Sequence, residues 1–175
     1  MMKFAIYDYV PKRFAGKASF RQQDLNRMIL DFKNGRNYAT RWAVNVFNYT
    51  LSHTNLSDCV LVGVPAHSKA SHTRRYKRFL QLLCKKCNAI NGYDHIKVKQ
   101  ERTCVHTSRC YDWCTQHAEY IDIDYDYFQG KKVVVIDDIC TTCTTANAFI
   151  NVLQNAGADV CMALFLAKTK QMFAN

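Results

Sequence analysis

The sequence predicts an α/β fold: a parallel central sheet with helices on both faces and a small N-terminal helical region. Three observations predict it. Residues 59–65 (CVLVGVP) and 133–136 (VVVI) are short apolar runs rich in β-branched residues, the pattern of strands covered on both faces. Residues 131–167 read as strand, loop, helix and strand in succession, the unit that joins parallel neighbours by a crossover. The intervening segments place apolar residues three and four apart, as helices require.

Taken in order, residues 22–32 put Leu25, Met28, Ile29 and Phe32 on one helical face, and Asn34-Gly35 stops the helix. A second helix follows over residues 38–52, with Trp42, Val46, Tyr49 and Thr50 at helical spacing. After the strand at 59–65, residues 71–91 form a long helix, with Phe79, Leu82 and Leu83 inward and Arg74, Arg75, Lys77 and Arg78 outward. Asn91-Gly92 is its expected end. Residues 94–99 make a short strand, and residues 100–116 are polar and cysteine-rich without a periodicity. Residues 120–127 alternate Ile121, Ile123 and Tyr125 with Asp122, Asp124 and Asp126, the period of a half-exposed strand. Next come the strand ending in Asp137-Asp138, a threonine-rich loop, and a helix over 146–154 carrying Phe149, Ile150 and Leu153. Ala156-Gly157 caps that helix, and residues 160–167 (VCMALFLA) are the last buried strand.

A length of 175 residues suits one domain over 1–175, with a helical N-terminal part (1–55) and an α/β core (56–175). Hydrophobic residues make up 49%, and there are only 6 Gly and 2 Pro, which excludes a disordered or collagen-like chain. No apolar run reaches the ~18 residues of a membrane span, and the first residues lack the apolar stretch of a signal peptide. The expected location is the cytoplasm, without membrane contact. There the 9 cysteines are expected as thiols, metal ligands or redox groups and not as a disulfide framework.

Charge is concentrated. Residues 67–109 hold 11 basic residues and 2 acidic ones, so nearly all of the net +10 lies in a quarter of the chain. Such an excess fits a polyanion, either several phosphates on a small ligand or a nucleic acid backbone. A merely solvated basic surface has the same composition.

The chemistry concentrates after the strand at 133–136. Asp137 and Asp138 lie toward a carboxyl strand end, where open α/β sheets bind ligands. The chain then runs Ile139-Cys140-Thr141-Thr142-Cys143-Thr144-Thr145 into a helix. A helix N-terminus offers unpaired N–H groups and a positive dipole end to a phosphate, and four threonine hydroxyls add donors. Two carboxylates beside a phosphate need their own partner, for which ribose hydroxyls or Mg²⁺ are suited. A sugar phosphate satisfies both halves. One threonine alone would need no explanation beyond helix capping.

VVVIDDICTTCTT resembles the phosphoribosyl-diphosphate (PRPP) motif of type I phosphoribosyltransferases, in which an apolar strand and two acids precede T-T-G-x-T. The order of ILDFKNGRNYAT, GVPAHSK, RRYKRF and the final VCMALFLAKT is similar to the ComF-like branch of that superfamily. The resemblance covers residues 22–169. It implies a phosphoribosyltransferase-like domain in which 1–55 serves as a hood and 56–175 binds PRPP. Asp137 and Asp138 then contact the ribose hydroxyls, and Thr141, Thr142, Cys143, Thr144 and Thr145 hold the 5′-phosphate. Ala66, His67, Ser68 and Lys69 occupy the pyrophosphate loop, and Arg102 and His106 lie on a mobile loop that reaches the leaving group.

The implied reaction transfers phosphoribosyl from PRPP to a nucleobase or amine nitrogen, with Mg²⁺ bound through PRPP and no residue assigned as a metal ligand. The resemblance allows a homodimer and leaves the oligomeric state open. Two other readings stay open: a PRPP-sensing regulatory protein of weak activity, and a ComF-like accessory protein that handles nucleic acid. Cys143 stands where the family has glycine, which permits φ > 0. Cys140 and Cys143 form a C-x-x-C at a helix start, read as space-filling thiols or as a redox switch. Cys104, His106, Cys110, Cys114 and His117, with Cys84 and Cys87 nearby in sequence, leave a zinc site open.

Overall fold

The computed structural model of the chain describes residues 1–99 and 120–170. Its centre is a five-stranded sheet, parallel throughout, built from β1 (Met2–Tyr9), β2 (Cys59–Gly63), β3 (Ile90–Asn91), β6 (Lys132–Cys140) and β7 (Asp159–Thr169) in the order β1-β7-β6-β2-β3. Val60 pairs with Val133 and Leu61 with Val134, so the two sequence-predicted apolar strands are direct neighbours. A separate antiparallel ribbon joins β4 (Ile96–Val98) to β5 (Ile121–Ile123).

Side chains alternate across a strand, so each central strand feeds two apolar layers. On one face Leu61, Val134, Ile136, Leu164 and Leu166 pack under α1 (Phe20–Lys33), α2 (Asn37–Thr50) and the long helix α3 (residues 69–87), through Ile29, Phe32, Phe47, Phe79 and Leu83. On the other, Val60, Val62, Val133, Val135 and Phe165 meet Phe149, Ile150 and Leu153 of α4 (Thr144–Asn155), together with Phe128 and the ribbon. Both faces are covered, as parallel sheets require. This is the predicted fold class.

Helix boundaries follow from caps. The Ser19 hydroxyl accepts from the Gln22 N–H at the start of α1, and Gly35, at φ +69°, turns the chain beneath Arg74 where a Cβ would collide. The α3 helix spans residues 69–87 in three unbroken pieces, Lys69–His72, Thr73–Lys77 and Arg78–Cys87, of which the middle one is a π turn. It ends at Asn88 in the left-handed region (φ 53°), not at Asn91-Gly92, which leaves Ile90–Asn91 free to pair as β3. Residues 120–127 are also shorter as a strand than their alternation predicts. Asp124 accepts the Tyr127 N–H and starts a single helical turn, Tyr125–Phe128, directly after β5.

The first residues form an edge strand that periodicity did not reveal. Where β1 ends, α1 closes it with amide side chains. Asn26, itself buried, accepts the Val10 N–H at 3.2 Å and donates to the Val10 carbonyl at 2.8 Å, while Gln22 Nε2 donates to the Asp8 carbonyl at 2.9 Å. Among the described residues no helix is long and apolar enough to cross a membrane.

Candidate functional site

In chain order, β2 connects toward β3 on one side, whereas β6 connects to β7 on the other. The order in which the chain lays down its strands therefore reverses between β2 and β6, and the crevice outside the carboxyl ends of those strands is where doubly wound sheets bind ligands. The two sequence-predicted loops converge there. β2 ends at Gly63, the Val64 N–H donates to the Ile136 carbonyl at 2.9 Å, and the chain leaves through Pro65 and Ala66 to α3. On the neighbouring strand, Asp137 follows Ile136 immediately.

One detail departs from expectation. Asp137 and Asp138 are not beyond the strand: β6 continues to Cys140, with Asp137 opposite Phe165 and Cys140 opposite Lys168 on β7. They lie on the half of β6 that outlasts β2, so their β2 side is open. Each carboxylate is already engaged. Asp138 is buried; its Oδ1 accepts the Ile139 N–H at 2.6 Å, and its Oδ2 faces Arg75 Nη1 at 3.0 Å. That ion contact lacks hydrogen-bond alignment, and Oδ2 has no other partner among the described residues. Asp137 Oδ1 accepts from the Tyr76 hydroxyl at 2.9 Å and from the Asp138 N–H at 2.8 Å.

Burial, then the adjacent charge of Asp138, raise the Asp137 carboxyl to about 8. The site thus pairs one carboxylate neutralised by a guanidinium with a second that favours its proton. That arrangement has little negative field to trap a free cation, and fits a Mg²⁺ that arrives already bound to phosphate oxygens. No cluster of three metal-ligating side chains occurs among the described residues.

Tyr76 was not singled out by sequence reasoning, and Arg75 was read as outward together with Arg74, Lys77 and Arg78. The π turn at Thr73–Lys77 explains the difference, since the wider turn rotates two consecutive residues toward the sheet while Arg74, Lys77 and Arg78 stay exposed. Arg75 also donates through Nε to the Lys33 carbonyl at 3.0 Å, tying α3 to the end of α1. Tyr76 lies flat over Gly63, where an added Cβ would come within 2.5 Å of its ring. Glycine at the end of β2 is what lets the phenol reach Asp137. One turn earlier His72 is buried, stacked on Tyr93 with Nδ1 unpartnered, and burial followed by Arg75 lowers it to about 4.

The β2-side loop is organised by Ser68, the N-cap of α3, which is buried. Its hydroxyl accepts the Ser71 N–H at 3.2 Å and approaches the Ser71 hydroxyl at 3.1 Å, which in turn lies 3.5 Å from His67 Nε2. Ala66 is half-buried, while His67 and Lys69 are exposed at the mouth.

Across the crevice, Thr141 and Thr142 are exposed, and α4 starts at Thr144 with Cys143 as its N-cap at φ 58°, ψ 13°. The cysteine adopts the left-handed conformation for which glycine is suited. No side chain caps the helix, so its first N–H groups are open to an anion. Thr141 pairs its hydroxyl with Thr169 at 3.1 Å, and Thr142 with Thr144 at 2.8 Å.

Cys140 and Cys143 are disulfide-bonded, with Cα atoms 5.0 Å apart. This corrects the reading of the pair as space-filling thiols. By contrast Cys84 and Cys87 are thiols on α3, pushed upward by burial, Cys84 to about 12, and their sulfurs approach backbone carbonyls. Arg102, His106 and the cysteine-rich segment with His117 lie outside the described residues.

The chain matches no family model and no curated protein. Among solved structures it is similar to a hypoxanthine phosphoribosyltransferase from Staphylococcus aureus in two crystal forms. The orthorhombic form aligns with a TM-score of 0.40 at 15% identity, covering 83% of this chain and 77% of that one. The tetragonal form aligns with a TM-score of 0.38 at 15% identity, over 83% of this chain and 70% of that one.

Proposed function

We propose that this chain is a phosphoribosyltransferase of the type I superfamily, of its ComF-like branch, that binds PRPP and transfers its phosphoribosyl group to a nitrogen of a nucleobase or amine, releasing pyrophosphate. The observation that carries the reading is a juxtaposition: an Asp-Asp pair, a left-handed turn and an open helix N-terminus on β6 and α4 face the Ala66–Lys69 loop of β2 across the reversal point of the sheet. Residues 1–175 act as one unit in this reading, because 1–55 supplies an edge strand of the same sheet as well as α1 and α2.

In the bound state the N–H groups opening α4 and the hydroxyls of Thr141, Thr142, Thr144 and Thr145 hold the 5′-phosphate. Asp137 and Asp138 accept from the ribose hydroxyls, with Tyr76 and Arg75 fixing their orientation. His67, Lys69 and the backbone about Ala66 and Ser68 take the pyrophosphate, joined by Arg102 and His106. Mg²⁺ would be held through the pyrophosphate, beside His67 and Lys69, and would supply charge neutralisation to the leaving group. The preorganised donors stabilise the departing anion, and no covalent nucleophile is required. The cytoplasm and a homodimer complete the reading.

Calorimetric titration with PRPP and Mg²⁺ tests it. Wild type binds, and Asp137→Asn combined with Asp138→Asn abolishes binding while circular dichroism shows a folded protein; unchanged affinity in the double variant refutes the pocket. Pyrophosphate release with a panel of nucleobases identifies the enzyme, whereas binding without release identifies a PRPP sensor.

A specific observation favours a second activity on the opposite side of α3. Arg74, Lys77, Arg78, Lys85 and Lys86 are exposed there, and none has a carboxylate partner among the described residues. This row suits the backbone of a single-stranded nucleic acid, and affinity that falls steeply with salt tests it.

A further inference from the structure

The structure assigns a redox-active cysteine pair to the phosphate side of this site: we propose that Cys140 and Cys143 exchange with small disulfides and dithiols, and that the oxidised pair holds the loop in its PRPP-binding shape. The inference rests on the reading of the site given above and names its regulation.

Three observations carry it. The two sulfurs are bonded across the loop between the last residue of β6 and the N-cap of α4. The N-cap residue sits at φ 58°, a conformation that a cysteine adopts only at a cost and glycine without one. Cys140 is buried whereas Cys143 is half-buried at a helix N-terminus, so the two differ in access as an attacking and a resolving thiol must. Among the described residues the other cysteines, Cys59, Cys84, Cys87 and Cys161, are free thiols, so Cys140 and Cys143 form the one described pair.

Formation balances by thiol–disulfide exchange. The Cys143 thiolate attacks a small disulfide such as oxidised glutathione, forming a mixed disulfide and releasing one thiolate that takes up a proton. Cys140, losing its proton, then displaces the second glutathione, so one disulfide is consumed, two thiols are released and the two cysteines lose two electrons in all. A dithiol reverses the steps.

Once reduced, nothing covalent holds Cys143 in the left-handed region, and the loop leaves the shape that presents the opening N–H groups of α4. The penalty of about 1–2 kcal/mol for a non-glycine residue in that region converts to PRPP binding about five- to thirtyfold weaker in the reduced protein. A covalent clamp here does what the family glycine does without one.

The test titrates the protein through a series of glutathione redox buffers, alkylates free thiols and reads the mass, then measures PRPP–Mg²⁺ affinity by calorimetry in both end states. The expected result is a two-thiol step assigned to Cys140 and Cys143, with the oxidised protein binding at least fivefold more tightly. Cys140→Ser, which cannot form the bond, is expected to bind like the reduced protein at every poise. Cys143→Gly is expected to lose all dependence on reductant. Equal affinity in the two states, tighter binding when reduced, or no intramolecular bond at any poise overturns the proposal while leaving the PRPP site standing. Absence of PRPP binding in the oxidised, reduced and Cys143→Gly proteins alike overturns the site and its regulation together.

Discussion

Replacing Arg75 with methionine keeps most of the aliphatic length in α3 and removes the guanidinium. Arg75 and Asp138 side chains are only 9% and 5% exposed, so the variant strands a buried carboxylate whose sole partner at Oδ2 among the described residues was that cation. Removing one member of a buried ion pair costs about 3–5 kcal/mol, and the lost bond to the Lys33 carbonyl adds to it. For a chain of this size, that loss lowers the melting temperature by about 6–20 °C. Urea denaturation at neutral pH measures it, and one control gives it a mechanism. Adding Asp138→Asn to Arg75→Met should recover at least half of it, because no charge is then left buried. A single variant within about 1 kcal/mol of wild type, or a double variant no better than the single, would refute the argument that Arg75 exists to neutralise Asp138.

Two further outcomes follow from the same site. The Asp137 carboxyl lies near 8 in the folded protein against 3.8 ordinarily, so between those values the folded state binds more protons than the unfolded one, and stability falls as pH rises through that window. Asp137→Asn should flatten the fall, as read from urea midpoints between pH 5 and 8; parallel profiles would contradict the assignment. Gly63→Ala places a methyl group within 2.5 Å of the Tyr76 ring, and the resulting overpacking should cost about 1–3 kcal/mol and weaken PRPP binding together, the second read by calorimetry.

Much of this architecture was legible from residue order. The run VVVI with CVLVGVP placed the two central strands, and the threonine-rich stretch after Asp137-Asp138 located the loop and helix start that the fold brings to the reversal point. Elements governed by non-local pairing were not legible. In Met2–Tyr9 the alternation is blurred because an edge strand beside helices buries few of its side chains fully, and two-residue β3 is defined only by its partner. Arg75 defeated the reading for a different reason. It stands in a run of cations, and only a π turn, which no spacing rule anticipates, separates the one that turns inward from those that face water. For Cys140 and Cys143, spacing allowed a bond but was equally consistent with two thiols; the strand end and the left-handed N-cap decide between them.

Asn26 and Gln22 give α1 a task beyond covering the core. A parallel sheet whose outermost strand is eight residues long offers a template along which another molecule could add a strand. By satisfying both peptide groups of Val10 and the carbonyl of Asp8, two amide side chains imitate the neighbour that such an intruder would supply. The rim of the sheet is thereby sealed at its growing end by the helix that follows it, and self-association through that stretch of backbone would first have to break these bonds.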